Sequence, residues 1–181
     1  MPFIVFSGLP GSGKSTIARE LAPRVQLALL DKDDFLEALF EERGTRDTAS
    51  RSFLSREADE RFAAAALAVS GACLVSWWRR PQIDRTSGTP TEWIATLPAP
   101  VIELYCRCPV DIAVERFLRR RRHVGHVDGA RSPESLKAQF AFFDAIGPLH
   151  CGELIELDTE DPIPLDAVVA DVQRMMSIRR G

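Results

Sequence analysis

Nine residues near the amino terminus have the types and spacing needed to hold a phosphate: Gly8-Leu9-Pro10-Gly11-Ser12-Gly13-Lys14-Ser15-Thr16. They satisfy the pattern G-x-x-x-x-G-K-[ST], a P-loop. Gly8, Gly11 and Gly13 let the backbone curl and bring its N–H groups close to an anion. A helix beginning at the end of the loop adds a favourable dipole. Lys14 is expected to reach the β- and γ-phosphates of a nucleotide, and the Ser15 hydroxyl to bind Mg²⁺. All nine positions are therefore assigned to nucleotide binding.

Asp31-Lys32-Asp33-Asp34 is the second cluster. Carboxylates beside a P-loop suit phosphoryl transfer, which needs one to orient and deprotonate the attacking hydroxyl. Asp34 is the best placed to cap the following helix, leaving Asp33 or Asp31 for chemistry. The third cluster is Arg116-Phe117-Leu118-Arg119-Arg120-Arg121-Arg122, in which Arg116 and Arg120 share a helix face. Trp77 and Trp78 are expected on opposite faces of a strand, one in the core and one at the ligand end. Trp78 and Arg79 are carried as substrate contacts, and Arg79-Arg80 reads slightly better as solvated than as an anion site.

These clusters need a scaffold, and the flanking residues supply one. Phe3-Ile4-Val5-Phe6 reads as a buried strand, and the residues after Lys14 as a helix closed by Pro23. Further strands are expected over 25–30, 73–78, 101–106 and 154–157. Helices are expected from Phe35, over 48–70, from Pro109 to about Arg122, from Ser132-Pro133 to about Ile146, and over 164–176. Alternation of strand and helix predicts an α/β fold: a five-stranded parallel sheet with helices on both faces, in one domain spanning residues 1–181. Ligands of such sheets lie at the carboxyl ends of the strands. Those ends carry Gly8 to Ser15, Asp31 to Asp34, Trp77 to Arg80, Arg107 and Asp158-Thr159, whereas the arginine cluster ends the helix that follows the fourth strand.

The 181 residues are 45% hydrophobic and 27% charged, with net charge −3. That balance argues against a general nucleic-acid binder. No stretch is long enough to span a membrane. Cys73, Cys106, Cys108 and Cys151 form no C-x-x-C pair and no signal peptide is evident, so a reduced, cytoplasmic protein is expected. Two histidines in a polar gap, His123 and His126, read as surface rather than metal ligands.

The P-loop followed by Asp33-Asp34-Phe35 resembles the kinase module of phage polynucleotide kinase. It is also similar to the small P-loop kinases that include chloramphenicol phosphotransferase, gluconate kinase and zeta toxins. The resemblance implies an AAA-type ATP-binding domain with the three-layer P-loop NTPase fold, using ATP and Mg²⁺. It implies Asp33 as general base, Lys14, Arg116 and Arg120 in catalysis, and an Arg-rich lid over about 119–131. Arg120 also touches the nucleotide in that scheme, Gly125 and Gly129 act as hinges, and Arg131 is a further lid arginine. Leu36 stands where polynucleotide kinase has a phosphate-holding arginine. Ser76-Trp77-Trp78 replaces an acidic end to the third strand, leaving Mg²⁺ to Ser15, waters and Asp31 or Asp33. The expected activity is phosphorylation of a small molecule's hydroxyl; a 5′-hydroxyl kinase for polynucleotides and a nucleotide-binding regulator are the competing readings.

Overall fold

The computed structural model describes residues 1–44, 47–80, 88–120 and 132–178. Five parallel strands form the sheet: β1 (Phe3–Gly8), β2 (Ala28–Asp31), β3 (Ala72–Val75), β4 (Val101–Arg107) and β5 (Glu153–Asp158), in the order β2-β3-β1-β4-β5. Among the described residues six α-helices connect or flank them, with a short 3-10 helix at Glu92–Thr96: α1 (Lys14–Arg24), α2 (Lys32–Arg43), α3 (Thr48–Leu67), α4 (Val110–Arg119), α5 (Pro133–Asp144) and α6 (Leu165–Ile178). This is the α/β P-loop fold expected.

Side-chain alternation along β1 divides the core. Ile4 and Phe6 face α1 and α6, packing with Ile17, Leu21 and Val172. Phe3 and Val5 face α3, where Phe62 and Ala66 cover them. A strand covered on both faces has no solvated side, which is why all of Phe3-Ile4-Val5-Phe6 is apolar and fully buried. A third cluster joins Leu9 of the P-loop to Ala113 and Val114 of α4 and to Leu136 and Phe140 of α5. The phosphate loop and the arginine-bearing helix are thus parts of one packed unit.

Gly11 sets how closely those two pieces approach. Its φ is +83°, and a Cβ there would lie 2.2 Å from the Ala113 carbonyl oxygen. Only glycine allows that contact and that backbone together.

Glu103 is a polar anchor inside the sheet. It is fully buried on β4 and accepts hydrogen bonds from Ser7 Oγ, from Leu149 N at 2.6 Å and from Cys151 N at 3.2 Å. One carboxylate therefore ties the end of β1 to the segment entering β5, and its lone pairs are satisfied as a buried charge requires.

Several boundaries differ from expectation. Pro23 lies within the last turn of α1 instead of closing it, and Val25 serves as the C-cap. Gln26 then takes a left-handed φ of 55°, so β2 starts only at Ala28. β3 ends at Val75, because residues 77–79 leave the sheet to pair with Thr89. α4 stops at Arg119, with Arg120 extended. The supposed lid residues beyond Arg120, including His123, Gly125, His126, Gly129 and Arg131, lie outside the described residues. No described helix is long and apolar enough to cross a membrane.

Gly11→Ala is expected to lower the unfolding free energy by about 2 kcal/mol or more, from backbone strain plus the clash with α4. Chemical denaturation of the two proteins side by side measures it; equal midpoints would mean that loop and helix are not pressed together.

Candidate active site

Parallel pairing brings the carboxyl ends of β1, β2 and β3 to one rim, and a cleft of about 340 Å³ opens there. Pro10, Gly11, Gly13, Lys14, Ser15 and Thr16 line one side. Asp31, Asp33, Ser76 and Trp77 line another, and Arg19, Arg116, Phe117 and Arg120 close it. Of the loop residues carried as nucleotide contacts, Leu9 packs against α4 and α5, and Ser12 is fully buried with its Oγ lacking a hydrogen-bond partner. Gly13 caps α1 with no side-chain hydrogen bond, so no capping side chain competes with an anion for the first N–H groups of the helix.

Lys14 folds back over the loop. Its Nζ donates to the Gly8 carbonyl at 2.9 Å and to the Leu9 carbonyl at 2.6 Å. Burial pushes the ammonium pKa down to about 8, only partly offset by Cys106, Asp31 and Asp33 nearby. A buried cation held by neutral carbonyls alone is under-compensated, and an anion in the cleft would correct that.

Asp31 caps α2: its Oδ1 accepts from Asp33 N at 3.1 Å. This corrects the expectation that Asp34 is the cap. Asp34 is exposed and lies 4.0 Å from Arg19. The first carboxylate in the run wins because it alone sits at the extended residue preceding the helix. Asp31 is 2% exposed, and its Oδ2 is buried with no hydrogen-bond partner. Burial raises its pKa, opposed by a hydrogen bond from Ser15. An orphaned carboxylate oxygen beside a serine hydroxyl is a pair of hard oxygen donors, the kind Mg²⁺ takes when phosphates and waters supply the rest. The residues present therefore fit the ion. Among the described residues there is no group of three or more His, Cys, Asp or Glu that could hold a metal unaided.

Asp33 lines the cleft with its carboxylate 3.8 Å from the Arg120 guanidinium. Arg116 is engaged elsewhere: it donates to the Thr159 and Glu160 carbonyls, each at 2.7 Å, and ties α4 to the turn after β5. Both arginines border the cleft, but in this arrangement Arg120 is the one facing the acidic residues.

Two expected substrate contacts are corrected. Trp78 is 3% exposed, its indole N–H donates to the Phe6 carbonyl at 2.7 Å, and its ring packs on Phe62 and Trp93. It is a core residue because the chain has already left the sheet, so strand alternation no longer applies. Arg79 does not reach the cleft; its backbone N–H bonds Thr89 O at 2.8 Å. Arg80, expected to be solvated, is buried at 7% exposure and donates to the Gly147 carbonyl at 2.8 Å. Its guanidinium pKa is lowered by burial, with Glu103 opposing.

Sequence reasoning missed Arg19 and Ser76. Arg19 had a legible signal, four residues after Ser15 on the same helix face. Ser76 had none.

Comparison with known proteins places this geometry. The profile described as an AAA domain matches residues 3–146. The chain belongs to the AAA domain family. A shikimate kinase of Corynebacterium glutamicum is 49% identical over 37 residues, covering 20% of this chain and 22% of the relative, so only a fraction of that enzyme's length is matched. Among solved structures, a candidate kinase from Chloroflexus aurantiacus superposes on this AAA domain with TM-score 0.78 and 28% identity, covering 96% of this chain and 97% of the other. Shikimate kinase from Acinetobacter baumannii, in complex with shikimate, follows at TM-score 0.63 and 17% identity over 98% and 94%. The AAA domain is thus built on the fold of small P-loop kinases.

The depressed Lys14 pKa has a thermodynamic consequence. With its pKa pushed down to about 8, the free site loses this proton progressively as the pH rises past 8, and a bound triphosphate would restore it. ATP binding at pH 8.5 is therefore expected to take up protons, with little such uptake at pH 6.5, where Lys14 is already charged. Calorimetry in buffers of different ionisation enthalpy reads the number directly. Lys14→Met should abolish the uptake; identical uptake in that variant would assign the proton to another group.

Proposed function

We propose that this AAA domain is an ATP-dependent kinase that transfers the γ-phosphoryl group to a hydroxyl of a small molecule. The observation that carries the reading is the shared cleft: P-loop residues, the Asp33 carboxylate and Arg120, 3.8 Å from Asp33, line it together.

In this reading the loop N–H groups and Lys14 hold the triphosphate. The chain would hold Mg²⁺ through Ser15 and Asp31, and the ion supplies charge neutralisation on the phosphate oxygens when bound. Asp33 accepts the proton of the attacking hydroxyl, and Arg120 lends positive charge where it develops in transfer. Arg116 supports the site differently, by holding the turn after β5 against α4. The Asp33–Arg120 contact is consistent with a resting arrangement in which each group waits for its ligand. Arg120 turns to phosphate when nucleotide is present, and Asp33 is left for the acceptor. A cleft of about 340 Å³ suits a small acceptor beside a nucleotide's phosphates.

A phosphorylation screen of metabolites, nucleosides and antibiotics, read by mass, tests the activity. With an acceptor in hand, Asp33→Asn should lower kcat by roughly 10²–10⁴-fold while shifting the KM for ATP only a few-fold. A larger kcat loss in Asp31→Asn than in Asp33→Asn would reverse the two roles. Lys14→Ala should abolish transfer with an unchanged circular-dichroism spectrum.

A further inference from the structure

We propose that Ser76 is a specificity-determining residue that accepts a hydrogen bond from the phosphate acceptor. The acceptor is then a molecule with a second O–H or N–H donor beside the hydroxyl that is phosphorylated: a polyol or an amino alcohol. This rests on the kinase reading above and narrows its substrate class.

One buried chain of polar groups fixes where each proton lies. Lys32, the first residue of α2, donates from Nζ to Ser55 Oγ at 2.7 Å and lies 3.7 Å from Asp59 Oδ1 on α3. Thr89 Oγ1 is 2.6 Å from that same oxygen, and Ser76 Oγ is 2.5 Å from Thr89 Oγ1. The Thr89 hydroxyl donates to that Asp59 oxygen. A hydroxyl has one hydrogen, and that of Thr89 is now used. The Ser76 hydroxyl must therefore donate to Thr89. Ser76 is 6% exposed and is one of the residues lining the cleft, so what its hydroxyl can offer a ligand there is lone pairs and no proton. Among the described residues no donor occupies those lone pairs.

The arrangement is built rather than incidental. Thr89 is 2% exposed and is held in place by its backbone, with Thr89 N donating to Trp77 O and Arg79 N to Thr89 O, both at 2.8 Å. Gly88 permits that approach: its φ is +86°, and a Cβ would stand 2.8 Å from both Trp77 O and Arg79 N. On the rim beside Ser76, the half-buried Trp77 ring is fixed edge-on to Phe143 at 4.6 Å between centroids, giving an apolar wall next to the polar one. An apolar wall, a lone-pair acceptor and the Asp33 carboxylate in one cleft suit a hydroxylated ring or short carbon chain.

The test uses the 181-residue chain, ATP and Mg²⁺. Ribose, glucose, inositol, glucosamine and ethanolamine are compared with the mono-alcohols tetrahydrofurfuryl alcohol and cyclohexanemethanol. For the best acceptor, each remaining donor is replaced in turn by fluorine, which keeps size and removes the proton. The wild type should phosphorylate the donor-bearing compounds, and one fluoro analogue should lose about tenfold in kcat/KM, the order of one hydrogen bond in a dry site. Ser76→Ala should erase that ratio, chiefly through KM. Thr89→Val should reduce it as well, by freeing the Ser76 proton to point into the cleft; a merely structural role for Thr89 would weaken both compounds equally. Phosphorylation of the mono-alcohols as readily as the polyols, or a ratio unchanged in both variants, overturns the inference and leaves the kinase reading standing. If the wild type binds ATP but phosphorylates none of these compounds, the inference falls. If it also fails the wider screen, the kinase reading falls with it.

Discussion

The site depends on a buried ammonium group that the fold leaves under-compensated. Lys14 is 8% exposed and its protein hydrogen-bond partners are two main-chain carbonyls of its own loop. Those bonds hold the loop in the curled shape that phosphate binding needs, so the cation acts as an internal template. Carbonyl dipoles do not replace the hydration of a full charge, and its pKa falls in response. Asp31 carries the opposite problem, a carboxylate oxygen out of water with no donor. A ligand bringing phosphate oxygens and a divalent cation answers both deficits. Stability is thereby spent on a site organised before its ligand arrives.

The scaffold around these charges explains why they stay put. β1 is buried on both faces, so its register against β3 and β4 cannot slip without exposing phenylalanine or isoleucine. Glu103 locks the end of that strand through Ser7, one residue before the loop. Gly11 then brings α4 to contact distance, which sets where Arg116 and Arg120 emerge.

Much of this was legible from the amino-acid sequence because its causes are local. The P-loop is nine consecutive residues, and the strands and helices announce themselves through apolar runs, prolines and glycines. Ser132 caps α5 as its Ser-Pro signal implies, accepting from Ser135 N at 3.2 Å. The errors arose where tertiary pairing overrode a local rule. Strand alternation puts one of Trp77 and Trp78 at the ligand end, but the strand ends at Val75, where Thr89 draws the chain away. Arg80 reads as solvated next to another arginine, yet a helix-end carbonyl and Glu103 wait for it across the fold. The Ser76–Thr89–Asp59–Lys32 chain joins four separate segments through single hydroxyls, and no spacing rule encodes that.

Arg116 grips the turn after β5 only through main-chain oxygens, those of Thr159 and Glu160. The side chains of Glu160 and Asp161 are exposed, and the turn is held in place without them. That stretch of chain can be relettered with little mechanical penalty. A cysteine at position 161 bearing a small fluorophore would report from the turn that Arg116 holds while the grip on the backbone persists. The four natural cysteines are three buried and one half-buried, which favours labelling at the new thiol.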